Sequence, residues 1–124
     1  MSNRALVVDD SGPMRAIVIR NLKSLGIEEI VEAADGAEAL KLFRSSVFTV
    51  VITDYNMPLM NGLDLVKGIR SSGSEVPILM LTTEAERSTV LAAIQAGVSG
   101  YLIKPFDSSL LKNKLEKLWA PQPV

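Results

Sequence analysis

No cysteine and no histidine occur among the 124 residues of the chain. Without cysteine there are no disulfides and no thiolate chemistry. Without either residue there is no Ser-His-Asp or Cys-His nucleophile and no zinc site of the usual kind. Chemistry here must run on carboxylates, hydroxyls and lysines, and any metal should be a hard, oxygen-seeking one, Mg²⁺ first. An excess of charge of one sign is missing as well: Lys and Arg number 13 against 14 Asp and Glu, for a net charge of −1. No long-range field therefore draws the chain to nucleic acid or to an anionic membrane, and neither is expected as a partner. Long apolar runs are absent too, none approaching the ~20 residues of a membrane span. The opening MSNRALVV runs directly into a strand and lacks a signal-peptide layout. The expected location is the cytoplasm.

What is present is a core. Hydrophobic residues make up 48% of the chain, well above a disordered composition. One domain is expected over residues 1–120, with a short proline-bearing tail at 121–124. Short apolar runs alternate with helical periods along its length. Ala5-Leu6-Val7-Val8 leads through Ser11-Gly12-Pro13 to a helix with apolar Met14, Ile17, Val18, Leu22 and Leu25, stopped near Gly26. Ile30-Val31 begins a weaker strand ending near Ala34, and Asp35-Gly36 opens a helix with Ala39, Leu40 and Phe43 inward. Val50 to Thr53 is the most β-branched run and reads as a central strand. A loop from Tyr55 to Asn61 precedes a helix showing Leu65, Val66 and Ile69. Strand four is expected over Ile78 to Leu81, with its helix over Glu84 to Ala96. Gly97 and Gly100 bracket the turn into Tyr101-Leu102-Ile103. The last helix, Ser108 to Trp119, should bury Leu111, Leu115 and Leu118, with Trp119 packing against it.

Repeated βα units whose crossovers are too long for hairpins imply an α/β fold, a parallel sheet with helices on both faces. Right-handed crossovers leave few topologies. In the order 2-1-3-4-5, strands 1 and 3 are neighbours at the reversal point, where ligands sit outside the carboxyl ends of the strands. The polar residues fall there. Asp9-Asp10 follows ALVV, Asp54 follows VVIT, Thr82 follows ILML and Lys104 follows YLI. Each has an ordinary reading alone: Asp9-Asp10 as a cap of the first helix, Asp54 in a turn, Thr82 as a plain strand end, Lys104 in solvent. Together at one sheet edge they form a pocket of three carboxylates, a hydroxyl and an ammonium, suited to a divalent cation and a phosphoryl group. Carboxylates so placed repel one another, so an empty site should raise at least one pKa. No G-x-x-x-x-G-K-[ST] is present, and Gly97-Val98-Ser99-Gly100 follows a helix, so it reads as a turn and not a phosphate cradle. A phosphoryl group should then arrive on a partner, with Asp54 attacking it to form an acyl phosphate.

Asp9-Asp10, DYNMPLMNGLDL around Asp54, LTTEAE around Thr82 and GYLIKPF around Lys104 resemble the receiver-domain signature of two-component response regulators. The resemblance spans essentially the whole chain and is closest to the stand-alone chemotaxis regulators of that family. It implies the flavodoxin-like (βα)₅ receiver fold. Asp54 would be the phosphoacceptor. Asp10, Asp54 and the backbone carbonyl of Asn56 would bind Mg²⁺, with Asp9 acting mostly through a metal-bound water. Thr82 and Lys104 would contact the phosphoryl oxygens, and Tyr101 would be the switch aromatic. Lys104-Pro105 would be a cis peptide. Partners would be a sensor histidine kinase and a downstream target, such as a flagellar motor switch or a phosphatase, met by a monomer through the fourth helix, fifth strand and fifth helix. On that face Val90, Ile94, Tyr101 and Lys114 stand out, although Val90 and Ile94 also fit a core and Tyr101 a half-buried strand tyrosine.

Tyr55 stands where relatives often have Trp, and Thr83 where Ala is frequent; neither is expected to touch the acids. Asn56 and Glu84 flank the phosphoryl position and would govern access of water. A phosphorelay carrier would share the same site. A Mg²⁺-dependent aspartyl-phosphate phosphatase would show D-x-D-x-[TV] after the first strand, where this chain has DDSGP.

Overall fold

The structure is a computed structural model and describes residues 3–119. The Trp119 side chain and the tail at 121–124 lie outside the described residues. Elements alternate strictly: β1 (Arg4–Val8), α1 (Gly12–Ser24), β2 (Glu29–Ala33), α2 (Gly36–Ser45), β3 (Val50–Thr53), α3 (Gly62–Ser71), β4 (Ile78–Thr82), α4 (Arg87–Ala96), β5 (Gly100–Ile103) and α5 (Ser108–Trp119). The strands form one parallel sheet in the order β2-β1-β3-β4-β5, as expected.

Successive strand residues point to opposite faces, and the core divides accordingly. Leu6, Val8, Val51, Ile78 and Met80 pack with Ala39 and Leu40 of α2, Leu65, Val66 and Ile69 of α3, and Ala93 of α4. Ala5, Val7, Val50, Ile52, Leu79, Leu81 and Leu102 pack with Val18 and Leu22 of α1 and Leu111 and Leu115 of α5. Leu118, expected in the core, is only half-buried at its margin. Buried polar atoms in the helices are satisfied locally: the Asn21 amide of α1 donates to the Ile17 carbonyl at 2.8 Å.

The helices differ in how firmly they are held. α3 buries Leu65, Val66 and Ile69, and such side chains contribute about 1.5–3 kcal/mol each. α4 fully buries only Ala93. Its start also differs from expectation, at Arg87 and not Glu84. The Glu84 N–H donates to the Thr82 hydroxyl at 3.2 Å and its carbonyl accepts from the Tyr101 hydroxyl at 2.7 Å. Those contacts, one local and one from β5, hold Glu84 outside the helix. The α4 N-cap, Glu86, makes no side-chain capping bond. Its C-terminus closes on Gly97 at φ 112, a left-handed conformation that glycine adopts without Cβ strain.

Candidate metal and phosphoryl site

Strand register delivers the acids. Val8 of β1 pairs with Thr53 of β3, so Asp9 and Asp54 leave adjacent strands side by side. The Asp54 N–H donates to the Val8 carbonyl at 2.9 Å, and the Asp9 N–H to the Ala33 carbonyl at 3.1 Å. Thr82 ends β4 opposite Ile103 of β5, and the Lys104 N–H donates to the Thr82 carbonyl at 2.9 Å. Lys104-Pro105 is a cis peptide.

Lys104 joins the two inner acids. Its Nζ lies 2.9 Å from Asp9 Oδ2 and 3.4 Å from Asp54 Oδ2. The remaining carboxylate oxygens meet backbone donors: Asp9 Oδ1 accepts from Ser11 N–H at 2.9 Å, and Asp54 Oδ1 from Tyr55 N–H at 2.7 Å, so Tyr55, expected to stay clear of the acids, touches one through its backbone. Asp9, Asp54 and Thr82 are buried, whereas Asp10 is exposed. Ser11, not Asp9 or Asp10, caps α1, accepting from Met14 N–H at 3.2 Å. The capping reading of the acid pair is therefore set aside. At the rim the Asn56 amide donates to Glu84 Oε1 at 2.9 Å.

Burial pushes the Asp54 carboxyl above its ordinary pKa; the Lys104 ammonium lowers it and the Asp9 carboxylate raises it again. A raised carboxyl is expected from repulsion among the acids, but its largest cause is burial, with the Asp9 carboxylate a smaller contributor. Oxygens of Asp9, Asp10 and Asp54 come within 4.8 Å of one another. Among the described residues the Asp10 carboxylate has no hydrogen-bond partner. An all-oxygen set with surplus negative charge and one uncommitted, exposed carboxylate fits a hard divalent cation that keeps part of its water shell.

Residues 5–116 match the response regulator receiver domain family, and the chain belongs to it. It is 49% identical over 116 residues to Chemotaxis protein CheY1 of Helicobacter pylori, covering 91% of this chain and 94% of that one. Chemotaxis protein CheY-3 of Vibrio cholerae is 45% identical over 118 residues, 94% of this chain and 91% of the relative. The solved structure of chemotaxis response regulator CheY4 of Vibrio cholerae superposes with a TM-score of 0.86 at 38% identity, covering 95% of this chain and 99% of that one. The chain is a receiver domain of the CheY type. Such domains are signalling switches and use Mg²⁺.

Two contributors to the site escaped the sequence reading. Arg15 Nη1 donates to the Asp9 carbonyl at 2.6 Å. Gly62 closes the loop after β3: its N–H donates to the Tyr55 carbonyl at 2.8 Å, and a Cβ there would lie 2.0 Å from the Asp54 carbonyl oxygen. The NG pair after a proline-containing loop was the available signal for Gly62. On the far face Ile94 is exposed, Val90 and Lys114 half-exposed. Leu91, Ile103 and Leu110, on the same three elements, also present apolar surface. Among the described residues no helix is long and apolar enough to cross a membrane.

Proposed function

We propose that the protein is a phosphorylation-activated switch of cytoplasmic chemotaxis-type signalling, taking its phosphoryl group from a sensor histidine kinase onto Asp54. The observation that carries this reading is the Lys104 ammonium set between Asp9 and Asp54 at the carboxyl edge of the sheet. The ionised Asp54 carboxylate attacks phosphorus, the bond from phosphorus to the kinase imidazole breaks, and an acyl phosphate forms. Lys104 and the Thr82 hydroxyl meet the phosphoryl oxygens. Asp10, Asp54 and the Asn56 carbonyl would hold Mg²⁺, with the Asp9 carboxylate beside them; when bound, the ion would supply charge neutralisation for the transferring group. Asn56 and Glu84, bonded across the rim, limit the approach of water.

Output follows from what Thr82 touches. Its hydroxyl accepts from Glu84 N–H, and the Glu84 carbonyl accepts from Tyr101. Drawing the Thr82 hydroxyl to a phosphoryl oxygen removes that anchor of Glu84. Tyr101, already packed against the core with its hydroxyl on the Glu84 carbonyl, then shifts with Glu84, and the α4-β5-α5 face changes its affinity for a target, for which a flagellar motor component is the leading choice. Incubation with Mg²⁺ and acetyl phosphate should add one phosphoryl mass to the native protein and none to Asp54→Asn. Equal mass gain by both would overturn the acceptor assignment.

A further inference from the structure

Arg15 stands where helix electrostatics disfavour it. It lies near the amino end of α1, the positive pole of the helix dipole, in a helix without an acidic residue in its first turn. Its guanidinium turns back toward the site, Nη1 on the Asp9 carbonyl at 2.6 Å and Nε on Glu32 Oε1 of β2 at 2.9 Å. The Asp9 carbonyl belongs to the peptide that leads into Asp10. Holding that oxygen fixes the orientation of the peptide from which the Asp10 carboxylate projects. No side-chain hydrogen bond among the described residues does this for Asp10 itself. A local rule broken at a cost, beside the site, marks a residue kept for what it positions.

We propose that Arg15 is a positioning residue of the metal site, acting through the Asp9 carbonyl to hold Asp10 ready for Mg²⁺; the inference rests on the reading of the site as an Mg²⁺ centre. Two effects of Arg15 on the ion oppose each other. As a cation it repels Mg²⁺, and its removal on that account should tighten binding. As a support it organises a ligand, and losing such a support weakens metal affinity by about 10–100-fold. The guanidinium is paired with Glu32 at a partly exposed position, where the pair and solvent screening weaken its repulsion of the ion, so the supporting effect decides the sign.

Calorimetric titration of the full chain with Mg²⁺ tests this. Arg15→Met should bind about tenfold more weakly than native protein, with an unchanged metal-free circular dichroism spectrum; Arg15→Ala should match it if the Met variant folds poorly. Unchanged or tighter binding overturns the assignment, as does a loss of metal-free stability with no loss of affinity. Native protein that binds no Mg²⁺, or Asp54→Asn that binds it equally well, would instead overturn the metal-site reading beneath it.

Discussion

Burial raises the Asp54 carboxyl above the ordinary carboxylate value of 3.8, Lys104 opposes that rise, and the Asp9 carboxylate adds to it. Without metal, folded Asp54 therefore holds its proton more tightly than the unfolded chain does. Stability falls as pH rises from about 3.8 through the raised folded value, and the loss persists above it. Asp54→Asn removes the buried charge, so at pH 7 without Mg²⁺ the variant should melt above the native protein. Below the unfolded value the two should converge. Melting curves at pH 7 and pH 3 measure this, and a native protein melting higher at pH 7 would contradict it. Gly62 is constrained by space instead of charge. Gly62→Ala drives a Cβ to 2.0 Å from the Asp54 carbonyl and should cost about 1–3 kcal/mol through forced backbone shifts. Denaturant titration reads that loss.

Among the elements, α4 is held chiefly at one end. Arg70 of α3 sends Nε and Nη2 to the Gly97 carbonyl at 3.0 and 2.8 Å, and Nη1 to the Ser74 carbonyl at 3.0 Å. The amino end has a cap without a side-chain hydrogen bond and lies two residues after Glu84. Arg70→Ala should cost about 1.5–3 kcal/mol, the range for hydrogen bonds to charged groups. Hydrogen exchange should show protection lost mainly in α4 and its Gly97 turn. Equal loss across the sheet would mean that α4 does not open by itself. The same helix shows where sequence reading stops. Strand runs such as VVIT and ILML mark their own ends, so Asp54, Thr82 and Lys104 could be placed at one edge before any coordinates. The start of α4 could not, because Glu84-Ala85-Glu86 favours helix while contacts from Thr82 and Tyr101 decide otherwise. Arg15 was hidden for a related reason: spacing puts its Cα near the site, but only packing shows which way its guanidinium turns.

At the scale of the whole molecule the site is a fastening. Lys104 and Asp9 lie 95 residues apart in sequence, and the acids and Lys104 leave β1, β3 and β5. A cation that needs the acids of β1 and β3 together binds only the folded chain, so its binding free energy adds to global stability. At a hundred times its dissociation constant that amounts to about 2.7 kcal/mol. Native melting temperature should therefore climb steadily with the logarithm of Mg²⁺ concentration. Asp10→Asn removes an exposed, unpartnered carboxylate; it should start within about 0.5 kcal/mol of native and then respond weakly. Asp54→Asn should start above native, freed of its buried charge, and also respond weakly, so the native curve must cross it as Mg²⁺ is raised. The crossing separates two explanations of the acid cluster. If the carboxylates were crowded for structural reasons alone, the three curves would run parallel. If crowding is kept because a cation relieves it, the least stable protein without metal overtakes the variant that escaped the repulsion.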